Sequence, residues 1–376
     1  MEMNRSKTHE MLARQTLDES ARAQFIISLK RHLRTMAKGN EVVYRRRAER
    51  QFRSRHGRSP TKIEEVRSAI GREGYYQLWS ALSRRAQEMM WEAVESTIER
   101  EMPRMQDAAR RLTSTGQTKG SLSLDPHFKP PADVLVADIH CQPGGYMRDR
   151  GADDLMAGAL YESGGSLYSS GVGIGQRDSK AGAVIGFLAQ RFPAFQPRRI
   201  LDLGCSAGGA SVAYPASYPA AEVHAVDVGP GILRYAHARA EALGVAVHFH
   251  QMDVNRLGFA DNSFDLVVSH NLMHEISRGT MKHLFSESHR LLRAGGIAVH
   301  QDVPIRGARS LFERYMFDWE TRYNNEPFWQ VFAQADVRHL LERAGFARDA
   351  ISETELPKLD GPGNWYLVLA QKSTES

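Results

Sequence analysis

Cysteine is nearly absent from this chain: Cys141 and Cys205 are the only two in 376 residues. They allow one bridge at most, so a small fold held by a disulfide framework is excluded, and a reducing cytoplasm is the expected compartment. Long apolar runs are missing as well. None approaches the roughly 18 residues that a membrane span needs. The opening residues MEMNRSKTHEMLARQ are polar and offer no apolar signal core. No internal repeat is visible. A further absence is local: no Lys or Arg lies between Asp202 and Asp227, although 25% of the chain is charged.

The charge that is present is unevenly shared. Residues 1–130 carry 26 Lys and Arg against 16 Asp and Glu, about +10, whereas the whole chain sums to +5, which leaves about −5 for residues 131–376. The densest basic stretch is YRRRAERQFRSRHGR, Tyr44 to Arg58. It reads as a solvated helix face with Arg stems packed along it; a nucleic-acid surface is the alternative.

Residues from about 17 to 112 show helical periodicity. Phe25, Ile26, Leu29, Leu33 and Met36 form one apolar stripe, and Gly39-Asn40 is expected to end it. SPTKIEE, with Pro60 near its first turn, opens another helix. The strongest helix is predicted from Tyr75 to Met102, with Trp79, Leu82, Ala86, Met90, Val94 and Ile98 on its inner face and Pro103 following. The sequence therefore predicts an all-helical N-terminal domain over residues 1–112. A linker rich in Gly, Ser, Thr and Pro follows over 113–135. A second domain covers 136–376, with cap elements at 140–180 and 305–330. GVGIG, Gly171 to Gly175, has no strand before it and no Gly-Lys-Ser/Thr after it, so it reads as a turn and not a phosphate loop.

From about residue 180 the pattern changes. RRILDLG, EVHAVDV, VHFHQMD, FDLVVSH and GGIAVHQDV alternate with helical stretches, which predicts an α/β fold with a parallel sheet covered by helices. DAISETEL and WYLVLAQK are expected to close one edge as an antiparallel pair.

The first of these runs ends in ILDLGCSAGGAS, Ile200 to Ser211. Gly204, Gly208 and Gly209 let backbone turn sharply and approach a ligand. Asp227 ends the second run, where an acid can accept both hydroxyls of a ribose. The loop lacks the G-x-G-x-x-G spacing of a pyrophosphate site and the Lys of a triphosphate site. Asp202, at the end of the first run, would repel phosphate and suit an ammonium group. A ribose, a cation and no phosphate together describe S-adenosylmethionine.

At these residues the chain resembles class I S-adenosylmethionine-dependent methyltransferases. The likeness is strongest to the small-molecule branch of ubiquinone/menaquinone type, over about residues 199–303. It rests on LDLGCSAGG, AVDV, QMDVNRLGFADNSFDLVVSHNLMHEI and HRLLRAGGIAVHQD, in order. The resemblance implies a doubly wound, mostly parallel, seven-stranded Rossmann-like sheet with S-adenosylmethionine as cofactor. By it, Gly204, Cys205 and Gly208 line the methionine and ribose portion, Asp227 with Val228 holds the ribose, and Met252 and Asp253 flank the adenine. His270 sits beside the cofactor. Pro215 predicts a short or kinked helix after the glycine loop.

Methyl transfer needs a nucleophile held against the methyl group and, for a hydroxyl or acidic carbon, a base. SHNLMHEI supplies His270, His274 and Glu275, with His274 the preferred base because histidine titrates near neutrality. YMFDWETRYNNEPFW places Tyr315, Trp319 and Tyr323 where a substrate cap is expected, and Tyr161 and Tyr168 could close over the cofactor. His248, His250, His300 and Asp302 lie on strands whose faces need not meet, so no metal is expected. The expected partner is an aromatic or apolar small molecule, with a homodimer through the helical region and no nucleic acid. The alternatives at this point are a nucleic-acid methyltransferase docking through the basic helices, a non-catalytic cofactor sensor and a nicotinamide oxidoreductase. Whether carbon, oxygen, nitrogen or sulfur receives the methyl stays open.

Overall fold

The computed structural model describes residues 9–113, 116, 118–168, 179–307, 309–359 and 361–374. Residues 1–8 and the turn Gly171–Gly175 lie outside them. Helix α1 (Leu17–Val43) starts in a capping box: the Thr16 hydroxyl accepts from the Glu19 N–H, and the Glu19 carboxylate accepts from the Thr16 N–H. It does not end at Gly39-Asn40. A Cβ on Gly39 would stand 2.3 Å from the Tyr75 hydroxyl, so this glycine serves close helix approach and not termination. The helix continues through one wide turn, Tyr44–Ala48, into α2 (Glu49–His56).

Helices α3 (Ile63–Ile70) and α4 (Gly74–Thr113) follow. Pro103 lies inside α4 and does not end it, because the buried face runs on through Met105 and Ala108. That packing outweighs the roughly 3 kcal/mol an interior proline costs. Two residues expected in the core, Phe25 and Leu82, are 58% and 37% exposed. In the basic stretch, Tyr44 turns inward and stacks on Phe312, while Arg45, Arg47, Arg53 and Arg58 pair with Glu41, Glu73, Glu49 and Glu65.

The segment expected as a linker contributes a strand, β1 (Ser121–Ser123). Its start is held by the Glu241 carboxylate, which accepts from the Lys119 and Gly120 N–H groups at 3.0 and 2.8 Å. The remaining strands are β2 (Arg199–Leu203), β3 (Glu222–Asp227), β4 (His248–Gln251), β5 (Phe264–His270), β6 (Leu292–Asp302), β7 (Ile351–Pro357) and β8 (Asn364–Gln371). The sheet has eight strands where seven were expected, in the order β1-β4-β3-β2-β5-β6-β8-β7. The six from β1 to β6 run parallel, and β8 is antiparallel to both β6 and β7. The chain moves outward from β2 to β4 and returns to β5 on the other side of β2. The crevice at such a reversal, beyond the carboxyl ends of the strands, is where open α/β sheets take ligands.

Eight further helices surround the sheet: α5 (Met156–Tyr168), α6 (Ser179–Arg191), α7 (Tyr214–Ser217), α8 (Pro230–Leu243), α9 (Arg278–Leu291), α10 (Leu311–Tyr323), α11 (Trp329–Ala333) and α12 (Val337–Ala344). The shortness of α7 follows from Pro215 in its first turn. Every residue of β5 is buried, as a strand covered on both faces requires. Alternation along β2 sends Ile200 to one face and Leu201 to the other. On the first face Ile200, Val223 and Leu266 share a core with Leu233 and Tyr235 of α8, Leu160 of α5, Met90 and Trp91 of α4, and Ile26 of α1. The second face packs on Leu284 and Phe285 of α9 and Leu341 of α12. A third cluster joins Leu33, Tyr76 and Trp79 to Phe312, Tyr315 and Trp319 of α10. The N-terminal helices are thus packed into the same core as the sheet. Among the described residues no helix is long and apolar enough to cross a membrane.

Candidate active site

The bend after β2 is built by Gly204, at φ +69°. The N–H groups of Gly204 and Cys205 both donate to the Val226 carbonyl at 2.9 Å, which ties the bend to β3. A Cβ on Gly204 would lie 2.8 Å from Leu272, a residue of the cleft wall. Ser206 also has a positive φ, +51°, and its N–H donates to Asp227 Oδ2 at 2.8 Å. Asp227 Oδ1 accepts from the N–H groups of Val228 and Gly229 at 2.8 and 3.1 Å. Burial raises the Asp227 carboxyl, and the donors from Gly229, Ser206 and Val228 oppose the rise without cancelling it.

A cleft opens along this bend. Gly204, Asp227, Val228, Met252, Asp253, His270, Glu275 and Tyr161 line it, as expected from the sequence. Ser206, Tyr146, Asn271 and Leu272 also line it and were not expected. His270 is fixed by the Tyr214 hydroxyl, 2.8 Å from Nε2, and by Gln301 Oε1, 3.3 Å from Nδ1. Asp253 is oriented by the N–H and side-chain amide of Asn255, both of which donate to Oδ1. The described wall contains Asp133, Asp227, Asp253 and Glu275 and no Lys or Arg.

Several expected site residues lie elsewhere. Asp202 is 1% exposed beneath the loop, where its Oδ2 accepts from the Ser211 hydroxyl at 2.6 Å; it braces the loop and does not line the cleft. Cys205 is buried under the bend, and burial first, then the charges of Asp227 and Asp202, push its thiol well up. Gly208 faces the core: a Cβ there would stand 3.1 Å from the Phe249 ring. Tyr315 packs against Tyr76, and Trp319 donates from Nε1 to Ser80 at 2.8 Å, both in the seam with the N-terminal helices. Tyr323 is 40% exposed beside Trp319. Trp319 does line a second cavity, of about 590 Å³, between α1, α4 and α10. The Tyr168 side chain lies outside the described residues.

His274 also stands behind the wall. It is 2% exposed, and its Nδ1 lies 2.5 Å from Asp302 Oδ1. Its Nε2 is directed at Glu275, 3.6 Å away. Burial disfavours the His274 imidazolium, but Asp302 first and then Glu275 and Glu326 outweigh it and lift its pKa to about 9. Glu275 is the member of this group that reaches the cleft. It accepts from the Tyr146 hydroxyl at 3.1 Å and meets His140 Nε2 at 3.3 Å. Burial works to raise the Glu275 carboxyl, yet the hydrogen bond from His140 and the charge of His274 hold it below its ordinary value.

His140 and Glu326, which form an ion pair, are further residues that sequence reasoning missed. They come from outside the glycine-loop region, and the only cue near His140 is the turn Pro143-Gly144-Gly145 that follows it. Trp91 Nε1 and Gln87 Nε2 of α4 both donate to the His140 carbonyl, at 2.7 and 2.8 Å, which fixes the residue where it stands.

This geometry agrees with comparison to known proteins. Residues 200–296 match the family model of a methyltransferase domain. The match spans about a quarter of the chain. A demethylmenaquinone methyltransferase of Thermus thermophilus is 32% identical over 32% of this chain and 55% of its own length. A malonyl-[acyl-carrier protein] O-methyltransferase of Geobacter sulfurreducens is 29% identical over 40% of this chain and 56% of its own. The chain thus spans about half the length of these relatives. Among solved structures, a phosphoethanolamine N-methyltransferase of Haemonchus contortus in complex with S-adenosyl-L-methionine is 17% identical, with a TM-score of 0.39 over 50% of this chain and 52% of that one.

Proposed function

We propose that the chain binds S-adenosylmethionine in the cleft beyond β2, β3 and β5 and transfers its methyl group to a small molecule. The observation that carries this reading is the chemistry of the wall: bare backbone at Gly204, four carboxylates and, among the described residues, no Lys or Arg to hold phosphate. Such a lining favours a phosphate-free cation.

When bound, the cofactor supplies an electrophilic methyl group on a sulfonium. Asp227 accepts from the ribose through Oδ2, which keeps a lone pair beyond the Ser206 N–H, whereas Oδ1 already takes two backbone donors. Met252 and Asp253 take the adenine. His270, locked between Tyr214 and Gln301, keeps the methionine side of the cleft in shape. Glu275, and not His274, meets the acceptor. The Glu275 carboxylate would take the proton that the acceptor loses on methylation, with the His274–Asp302 pair behind it. In this scheme His274 is a positioning residue. Tyr146 and Tyr161, edge to face at 5.9 Å, support an acceptor with an apolar or aromatic face. The helical region gives no support to a homodimer, since its inner faces are used on the chain's own sheet and on α10.

Calorimetry with S-adenosylhomocysteine, followed by labelled methyl transfer to a panel of quinols, phenols and acyl thioesters, tests the reading. We expect one site per chain and transfer that fails in Asp227→Ala. Absence of any uptake would sink it.

A further inference from the structure

Behind the Glu275 wall of the cleft, the cluster of titratable side chains holds more carboxylate than cation. Glu326 is fully buried at 0% exposure, and its Oε2 has no hydrogen-bond partner among the described residues, while Oε1 faces the His140 imidazole. His274 offers Nε2 to the same space because Asp302 engages Nδ1. A donor atom from each of His140, His274 and Glu326 lies within 4.8 Å of the others. Glu275 Oε1 stands 3.3 Å from His140 and 3.6 Å from His274. Even with both imidazoles protonated, the carboxylates of Glu275, Asp302 and Glu326 outnumber them, and an uncompensated buried charge is strongly unfavourable.

We propose that His140, His274 and Glu326 bind a divalent first-row transition-metal ion, with Glu275 beside it at the cleft wall. Two imidazoles and a carboxylate suit zinc, manganese or iron better than magnesium or calcium, which prefer all-oxygen sets. The Asp302–His274 hydrogen bond is the outer contact that orients a ligating imidazole and presents its other nitrogen. His140 carries a backbone mark of the same purpose. His140 and Cys141 have φ of +57° and +59°, a conformation that costs non-glycine residues roughly 1–3 kcal/mol each. The two α4 donors to the His140 carbonyl hold it there. The strain is thereby spent on aiming the His140 ring at Glu326. These residues differ from His248, His250 and His300, which lie in other contacts: His250 meets His224, and His300 meets Ser269 and Ser288. The ion's role rests on the proposed methyl transfer: from behind the wall it would orient the Glu275 carboxylate that faces the acceptor. Binding of the ion does not depend on that reading.

The test uses the full chain, stripped with chelator and titrated with Zn²⁺, and separately with Mn²⁺ and Mg²⁺. Calorimetry and elemental analysis read the stoichiometry. We expect one Zn²⁺ per chain, with Mg²⁺ far weaker, and at least tenfold weaker Zn²⁺ binding in both His140→Asn and the isosteric Glu326→Gln. Uptake of S-adenosylhomocysteine by the same variants, unchanged within about twofold, shows that they are folded. No saturable Zn²⁺ binding, or binding equally tight in both variants, overturns the proposal. So does preferential capture of an amine by the metal-free site. Zn²⁺ binding without uptake of S-adenosylhomocysteine would refute the methyltransferase reading alone, and the reverse result would refute the metal site alone.

Discussion

Glu162 of α5 is a buried acid, remote from the cleft, that three side chains engage, and its replacement has a calculable effect. Its Oε1 accepts from Arg239 Nε at 2.9 Å and meets His9 Nε2 at 3.1 Å, and its Oε2 accepts from the Tyr235 hydroxyl at 2.6 Å. The side chains of Glu162, Arg239 and His9 are 3%, 8% and 2% exposed. Burial alone would raise the carboxyl, but the charge of Arg239 and the bonds from His9 and Tyr235 bring it from 4.5 to about 2. That difference corresponds to about 3 kcal/mol favouring the charged form. Removing one partner of a buried ion pair costs about 3–5 kcal/mol by an independent route. Glu162→Gln keeps the volume and loses the charge, so we expect a loss of about 3 kcal/mol in urea unfolding at pH 7. The sign with pH is fixed. A carboxyl whose folded pKa is depressed contributes fully above the unfolded value of 4.5 and loses that contribution as pH falls toward 2. The gap between wild type and Glu162→Gln should therefore narrow between pH 4.5 and pH 2 and stay constant above it. A gap below about 1 kcal/mol at pH 7, or one that widens in acid, refutes the reasoning.

Other outcomes follow from the same contacts. Asp227→Ala removes a charged acceptor from the proposed ribose site and should weaken S-adenosylhomocysteine binding by about 10- to 100-fold in calorimetry, from the roughly 1.5–3 kcal/mol of hydrogen bonds to a charged group. Gly204→Ala places a Cβ 2.8 Å from Leu272 at φ +69°; it should destabilise the chain by about 1–2 kcal/mol in urea unfolding from the left-handed backbone alone. Trp319→Ala empties a site that is 7% exposed and frees Ser80, and should cost about 3–5 kcal/mol by denaturant titration. Converting Arg45 and Arg46 to Gln removes only the exposed pair with Glu41 and should change stability by less than about 1 kcal/mol, measured in the same way.

How much was legible in the sequence varied with the range of the forces involved. FDLVVSH announced itself because a strand covered on both faces must be apolar throughout, and all seven of its residues are buried. SLS could not be read as a strand: three residues with a single apolar side chain owe their pairing to Glu241, which is remote in sequence, and to the edge of β4. Gly39 and Pro103 were misread as stops because local propensity is blind to a tyrosine resting on the one and a buried face continuing past the other. At the site, Gly204 and Asp227 stood out because a tight bend and the proposed ribose contact each demand one residue type. Spacing alone could not separate Gly204, which faces the cleft, from Gly208, which faces Phe249. His140 and Glu326 obey no periodicity and meet His274 only through tertiary packing.

The suspension of the His140 carbonyl from Trp91 and Gln87 divides authorship of the cleft. The berth proposed for the methyl donor is written in one continuous stretch of about a hundred residues, whereas the cluster behind its wall is assembled from a loop hung on the long N-terminal helix and from a glutamate beyond the last parallel strand. Lineages could therefore re-tool what is alkylated by redrafting the flanks while the central stretch stays untouched, and a laboratory library aimed at new acceptors would do best to diversify those flanks first.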